Sequence, residues 1–353
     1  MSTEHKPVLG ISCGDLNGIG MEVIMKAFAD HTILDLCTPV VFASSKVASY
    51  HRKALDMQDF NFQSITALDQ ISHKKVNLMN CWNDSVNLEY GVNSKEVGAY
   101  ALRSIDAALD AWKEKKIDAL ITAPVNKNNI EPEGRSFTGH TGYIGEQTDG
   151  DPLMILMTDN FRVALVTGHV PVSDIAPNIT KEAIISRVKI LHQSLKQDFG
   201  IRKPKIGVLG LNPHAGDEGL LGKEEIEIIA PAVKECFDQG MLVYGPYPSD
   251  GYFGVGTYQQ FDATLAMYHD QGLIPFKTLA FEEGVNYTAG LNLIRTSPDH
   301  GTGYDIAGKN TASEVSFRNA VYTAIAVVKK RSEYKSITKN PLKKQELPKN
   351  SNK

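Results

Sequence analysis

The chain has 353 residues, of which 42% are hydrophobic and 22% charged, and a net charge of −4. This length exceeds one ordinary domain, and the composition supports a sizeable core, so two domains or one α/β domain with a large insertion is expected. The mild acidity excludes a nucleic-acid-binding body, and no run approaches the roughly 20 apolar residues of a membrane helix.

Val8–Ile11 reads as a first strand, and Gly14-Asp-Leu-Asn-Gly18-Ile-Gly20 as a turn into an apolar-periodic helix from Val23 to Phe28. Strand, glycine-rich turn and helix open a βαβ unit. Pro39–Phe42 is a second strand, followed by a helix from Val47 to Leu55. Residues 56–93 show no clear period. Ser94 caps a helix whose apolar positions are Val97, Ala101, Ile105, Ala108 and Trp112. Asp118–Thr122 is a strand that ends in Ala-Pro124-Val-Asn126-Lys127.

Leu153–Met157 and Phe161–Val166 face each other across Asp159-Asn160 as a hairpin. A helix from Lys181 to Leu195 leads to strand Ile206–Leu211. A helix from Lys223 to Cys236 leads to strand Leu242–Tyr244. Ala263–Met267 is an apolar run that delivers Tyr268-His269-Asp270-Gln271-Gly272, and the apolar piece Phe276–Leu279 follows. Thr311 and Glu314 have capping-box spacing for a last helix through Val328. The lysine-rich remainder, with Pro341 and Pro348, is expected to be a solvated tail. Strands alternate with helices throughout, so the class is α/β. Cys13, Cys37, Cys81 and Cys236 lack CxxC spacing, and the N-terminus lacks a leader pattern. Both point to reduced thiols in the cytoplasm.

The glycine turn lacks the Gly-Lys-Ser/Thr ending of a P-loop and is not GxGxxG, so by itself it reads as a tight turn. The histidines say more. His169 follows Val163–Gly168, His214 follows Ile206–Pro213, and His269 follows Ala263–Tyr268. In each case an apolar run ends in a histidine. Open α/β sheets bind ligands at such strand ends. Each histidine alone is compatible with a hydrogen-bonded turn residue. Together, three neutral imidazoles would hold a zinc-like ion and leave positions for substrate. Lys127, Lys277 and Arg295 follow or lie near apolar runs. A guanidinium at 295 suits a carboxylate or phosphate. His140, Thr141, Lys277, Asn286 and Arg295 would suit a small phosphorylated or carboxylated substrate if they met in space.

The blocks Thr122-Ala-Pro-Val-Asn-Lys127, Gly139-His-Thr141, His169-Val-Pro171, Gly210-Leu-Asn-Pro-His-Ala-Gly216, Met267-Tyr-His-Asp-Gln-Gly272 and Arg295-Thr-Ser…Asp299-His-Gly-Thr302 go further. Through them the chain resembles, along nearly its whole length, the PdxA family of pyridoxine phosphate (vitamin B6) biosynthesis. The resemblance implies a fold like the isocitrate and isopropylmalate dehydrogenases, with two α/β/α domains and an active-site cleft between them. The expected division is residues 1–135 with 270–335, then 136–269, with 336–353 as a tail.

The resemblance also implies an NAD- or NADP-dependent oxidoreductase acting on 4-phosphooxy-L-threonine. A divalent zinc, magnesium or cobalt ion would sit on His169, His214 and His269. His140, Thr141, Lys277, Asn286 and Arg295 become the expected substrate residues, and Lys277 and Asp250 the expected catalytic ones. Asp299, His300, Gly301 and Asp305 are expected at the cofactor. The family's site lies at a homodimer interface, so the expected partners are a second copy and a small phosphorylated substrate. Leu16, Asn17, Met21 and Gly142 depart from the family pattern without removing any of these groups. The alternatives are a sister dehydrogenase of 4-phosphothreonate or 4-phosphoerythronate, and a non-catalytic metabolite-binding relative.

Overall fold

The computed structural model of the protein describes residues 5–130, 137 and 139–342. The chain begins with β1 (Val8–Ser12), α1 (Gly20–Ala27), β2 (Thr38–Ala43) and α2 (Ser45–Ala54). β3 (Gln63–Ile65) and β4 (Asn77–Asn80) follow, then α3 (Lys95–Lys113) and β5 (Ala119–Thr122). The next elements are α4 (His140–Gly145), β6 (Gly150–Met157), β7 (Arg162–Leu165), α5 (Ile175–Asn178), α6 (Lys181–Gln197) and β8 (Lys205–Leu209). The rest comprises α7 (Ala230–Asp238), β9 (Leu242–Tyr247), α8 (Ser249–Gly254), β10 (Ala263–Ala266), α9 (His269–Ala280), β11 (Val285–Leu291), β12 (Arg295–Pro298) and α10 (Val315–Thr338).

Among the described residues the strands form one sheet of twelve, ordered β3-β4-β2-β1-β5-β12-β11-β6-β7-β10-β8-β9. Strands β3 through β12 in that order are mutually parallel, and so are β7, β10, β8 and β9. Between the two sets lie three antiparallel pairings, β12 with β11, β11 with β6, and β6 with β7. Three reversals make the two parallel sets run in opposite senses. β2 is buried at all of its residues, as a parallel strand covered on both faces must be. Helix α3 lies on β1, β2 and β5, α10 on β11 and β12, and α9 on β7 and β10.

Local chemistry explains most element starts. The Ser94 hydroxyl accepts from the Val97 N–H, and Ser44 caps α2 through the Lys46 N–H. The expected hairpin is present as β6 and β7. Residues 56–93 resolve into β3 and β4, whose shortness hid any period.

Several expectations are corrected. The capping box of Thr311 and Glu314 is absent. Glu314 is itself the residue before α10, and its carboxylate pairs with Arg318 at 3.1 Å. α10 also continues past Val328 to Thr338. Arg331 explains the extension, because its buried guanidinium pairs with Asp198 at 2.7 Å. Residues 336–338 are therefore helical, and 343–353 lie outside the described residues. The helix expected at Lys223–Cys236 begins with a π-helical turn, Glu225–Ile229, before α7. Phe276–Leu279 is part of α9, because Leu273, Phe276 and Ala280 fall on one helical face against a buried apolar cluster. Lys277 thus stands on a helix, two turns beyond His269.

Candidate functional site

Polar residues from the middle of the sheet and from the loops after β5, β7 and β10 converge on one cavity of about 500 Å³. Its lining includes Lys127, His140, Thr141, His169, His269, Lys277, Asn286, Arg295, Asp299, His300 and Gly301. All five expected substrate residues, two of the three expected metal ligands and three of the four expected cofactor residues therefore share one space. Asp305 is not on that lining. Neither are His214 and Asp250, which line a neighbouring depression with Asn212, Ser249, Tyr268, Asp270 and Gln271.

Arg295 is the first residue of β12 and is buried between its neighbours β5 and β11. Its Nε and Nη2 donate to the Thr122 hydroxyl at 3.1 and 2.7 Å, and Nη1 donates to the Thr288 hydroxyl at 3.2 Å. No carboxylate pairs with it among the described residues. Burial pushes the guanidinium below its ordinary value, yet arginine stays protonated near neutral pH. A buried cation held only by neutral hydroxyls is costly, and an entering anion would compensate it.

His140, His169 and His300 in the cavity are each shifted toward the neutral form. Burial, reinforced by the charges of Arg295 and Lys127, holds His140 well below the ordinary imidazole value. Burial also lowers His300. Four buried polar atoms in the lining have no partner among the described residues: His140 Nε2, Asn286 Oδ1, Asp299 Oδ2 and His300 Nε2. Unsatisfied buried polar atoms cost free energy, and in a cavity they mark where a ligand makes up the deficit. Among the described residues the charged lining groups are the cations Lys127, Lys277 and Arg295 against one carboxylate, Asp299. Lys277 Nζ lies 3.6 Å from Asp299 Oδ1.

His169 and His269 come together with ring centroids 5.2 Å apart. Burial lowers the His169 pKa, as do the charges of Lys127 and His269, which favours the neutral, ligating form. His269 Nδ1 is 2.7 Å from Asp270 Oδ1, an arrangement that leaves Nε2 free for a metal. The donor pair fits a zinc-like divalent ion. Among the described residues, however, no three histidine, cysteine or acidic groups of this one chain converge on such an ion.

The segment from Met267 to Gly272 shows why its residue types occur together. His269 faces the cavity and Asp270 orients it. The Gln271 side chain ties strand ends together, accepting from the Met267 N–H at 2.6 Å and donating to the Gly210 carbonyl at 2.6 Å and the Ser249 hydroxyl at 2.7 Å. At Gly272 a Cβ would lie 2.7 Å from Val163 Cγ1, so only glycine lets α9 close on β7.

The segment bearing His214 is unusual. His214, Ala215, Gly216, Asp217 and Glu218 all have left-handed backbone, with φ of 53, 51, 83, 45 and 54°. Left-handed residues other than glycine cost about 1–2 kcal/mol each. Buried Glu225 braces the approach to this segment. Its Oε1 accepts from the N–H groups of Leu211 and Asn212, both at 2.7 Å, and its Oε2 from Asn212 Nδ2 at 3.0 Å. Sequence reading missed Glu225 and Thr288, which carry no motif, and gave no role to Thr122 and Gln271 although both stand inside quoted blocks. Conversely, the glycine turn after β1 is a buried structural element. Asp15 accepts there from the Asn17 N–H at 2.9 Å and the Tyr304 hydroxyl at 2.7 Å.

Comparison with known proteins finds relatives along nearly the whole chain. The family model described as pyridoxal phosphate biosynthetic protein PdxA matches residues 35–324. A 4-hydroxythreonine-4-phosphate dehydrogenase of Bacteroides thetaiotaomicron is 54% identical, covering 97% of this chain and 94% of the relative. A protein of Oceanobacillus iheyensis, named as a D-threonate 4-phosphate dehydrogenase, is 37% identical over 91% of this chain and 97% of its own. A Salmonella typhimurium structure described as a 4-hydroxythreonine-4-phosphate dehydrogenase superimposes with a TM-score of 0.79 at 32% identity. It covers 92% of this chain and 100% of that one.

Proposed function

The chain belongs to the PdxA family, and from that premise we propose that it oxidises and decarboxylates 4-phosphooxy-L-threonine to 3-amino-2-oxopropyl phosphate. This is the activity of an NAD-dependent 4-hydroxythreonine-4-phosphate dehydrogenase, a step toward pyridoxine 5'-phosphate. The observation that carries the reading is the buried guanidinium of Arg295, which pairs with no carboxylate among the described residues, in a cavity with Lys127 and Lys277. A doubly anionic substrate, carrying phosphate and carboxylate, suits that excess of positive charge. Arg295, Thr141, neutral His140 and the Asn286 amide would hold these two groups and fix the substrate's orientation.

NAD, or NADP, would accept the hydride, with His300, Gly301 and Asp305 on its side of the site. A zinc, magnesium or cobalt ion on His169, His269 and His214 would acidify the substrate alcohol. Lys277, on α9 beside Asp299, is the group we assign to proton transfer at the reacting hydroxyl or carbonyl oxygen. Its ammonium lies 3.6 Å from the carboxylate, so a second proton-exchanging group is within reach.

We infer that the protein works as a homodimer, with His214 and Asp250 of one copy completing the cavity of the other. Two observations support this. His214 stands outside the cavity of its own chain. Val172 is 85% exposed and Ile274 61% exposed beside the same depressions, apolar surface that a second copy would cover. The same reading divides the chain into 1–135 with 270–335 and 136–269, with the cavity between the two lobes. It also puts the enzyme in the cytoplasm. No described helix is long and apolar enough to cross a membrane.

The D-threonate relative supports a second reading, in which the substrate is a phosphorylated four-carbon hydroxy acid. Spectrophotometric NAD reduction decides. The expected result is NADH formation with 4-phosphooxy-L-threonine, abolished by a chelator and restored by divalent metal. NADH from 4-phosphothreonate or 4-phosphoerythronate alone would select the second reading. No NADH from any of the three would overturn both.

A further inference from the structure

We propose that Tyr304 is a positioning residue for the nicotinamide cofactor. Its hydroxyl ties the loop bearing His300, Gly301 and Asp305 to the buried carboxylate of Asp15, in the glycine turn after β1. The inference rests on the cofactor reading above and deepens it by saying what holds that side of the site in shape.

The first support is the tie itself. Asp15 is buried, and its carboxylate is met by neutral donors from three parts of the chain. Oδ1 accepts from the Asn17 N–H at 2.9 Å. Oδ2 accepts from the Tyr304 hydroxyl at 2.7 Å and from Asn129 Nδ2 at 3.2 Å. Asn129 Nδ2 also donates to the Tyr304 oxygen at 3.1 Å, which closes a ring of three side chains. Burial and the contact with Asp15 push the phenol up to about 12, so it stays a donor at neutral pH. Hydrogen bonds to a buried charge are among the stronger ones.

The second support is that the loop has no other regular scaffold. Between Pro298 and Val315 no helix or strand forms. Side-chain anchors therefore set its course. Its far half is held by α1, where Glu22 Oε1 accepts from the Ala312 N–H at 2.8 Å and Lys26 Nζ donates to the Ala312 carbonyl at 2.8 Å. Tyr304 is the corresponding anchor for the half next to the cavity. Asp305 follows it directly and is exposed, so fixing Tyr304 fixes where that carboxylate starts from.

The third support is the contrast between the loop's two flanks. One is closely packed. The Ile19 N–H donates to the Thr302 carbonyl at 2.9 Å, and a Cβ at Gly18 would lie 2.6 Å from that oxygen. A Cβ at Gly91 would lie 2.8 Å from the Tyr304 carbonyl oxygen. The segment around Gly91 is bound to the same turn, because the Gly91 N–H donates to the Asn17 carbonyl and Asn17 Nδ2 to the Val92 carbonyl, both at 2.9 Å. The other flank is open: a Cβ at Gly301 would meet nothing within 4 Å, and Gly301 lines the cavity with His300. The tie thus holds the loop from behind and leaves its free side for the cofactor. A surface fixed before binding loses less entropy when the ligand arrives.

The test is Tyr304→Phe, which keeps the ring and removes the hydroxyl. Steady-state kinetics with divalent metal present give kcat and KM for NAD, and calorimetry gives binding of NAD and of 4-phosphooxy-L-threonine. Loss of the tie predicts NAD held about 10-fold more weakly, with its KM raised in step. At saturating NAD, kcat and the binding of 4-phosphooxy-L-threonine should stay within about twofold, because Asn286 and Arg295 stand on β11 and β12 and not on this loop. Asp15→Asn cuts the same tie from the other end, since a single amide oxygen then faces all the donors. It should weaken NAD binding to a similar degree, and the double variant should bind NAD no worse than the weaker single variant. Asp15→Asn also carries the comparison should the phenylalanine variant fail to fold. An unchanged KM for NAD, equal losses for NAD and substrate, or additive losses in the double variant would overturn the proposal. Wild-type protein that binds 4-phosphooxy-L-threonine but not NAD would defeat the cofactor reading itself, and this inference with it.

Discussion

Arg295 sits inside a sheet with paired strands on both sides, whereas His214 heads a run of left-handed backbone outside any ladder. The first is held by the most repetitive structure in the molecule. Strand pairing sets its position, and Thr122 and Thr288 reach it from neighbouring strands. The second depends on one buried carboxylate, Glu225, that gathers the backbone leading into the turn. Arg295 meets the other expected substrate residues within one chain, and His214 does not meet the other expected metal ligands there. Binding groups on a sheet come ready placed. On the dimer reading proposed above, His214 would serve across a subunit boundary, and a projecting, locally strained support suits that task.

The largest expected effect lies behind the strand-borne side. Asp198 is fully buried and accepts from Arg331 Nε, the Tyr287 hydroxyl and the Ser194 hydroxyl, each at 2.7 Å. These contacts lock α6, β11 and α10 around the strand that carries Asn286. Arg331→Met would strand the buried carboxylate and is expected to cost about 3–5 kcal/mol in urea unfolding. The double variant with Asp198→Leu should recover much of that loss. A single variant of unchanged stability would show that β11 is not held in this way, and the contrast with the loop would fail.

Next comes Arg295→Met. Substrate affinity should fall by roughly 2 kcal/mol, about 30-fold in Kd. Stability should stay level or rise, because the free protein no longer carries a buried guanidinium without a carboxylate partner. A thermal melt and a titration together check the pair of signs. Loss of stability with unchanged affinity would make Arg295 a structural residue and remove the reason for calling its side of the cavity preformed.

The smallest effect tests the loop. Asp217→Gly relieves left-handed backbone at φ 45°. Glycine's extra unfolded-state entropy takes back part of the gain, so a net rise of at most about 1 kcal/mol is expected. Asp217→Ala should bring no rise. If the glycine variant were clearly less stable, the turn would not be strained, and the two sides of the cavity would differ less than the backbone indicates.

Much of the site was legible in the sequence because its parts carry local signals. Apolar runs ending in His169, His214 and His269 marked strand ends, and the Arg295 block marked a polar group emerging from a sheet. The fold class followed from alternating strands and helices. Other features lacked a signal. Lys277 read only as a charge near an apolar run, because Pro275 interrupts a helical period that packing against β7 and β10 upholds. Glu225 drew no reading, since nothing local announces a carboxylate folded back onto the N–H groups of residues 211 and 212. α10 ran past its expected end because Arg331 looked like part of a solvated basic tail until Asp198, 133 positions away, supplied its partner.

By itself, then, the sequence determined what repeats along the chain at short range: helix and strand periods, Ser44 and Ser94 caps, and residue types suited to anions and divalent metal. Only the tertiary structure decided which of these groups share a cavity, that Asp299 is the one carboxylate on its described lining, and that His214 stands apart from His169 and His269. The physical reason is range. Backbone propensity and capping act over a few residues, whereas burial, charge compensation and unmet hydrogen bonds depend on neighbours that chain folding brings together from distant positions.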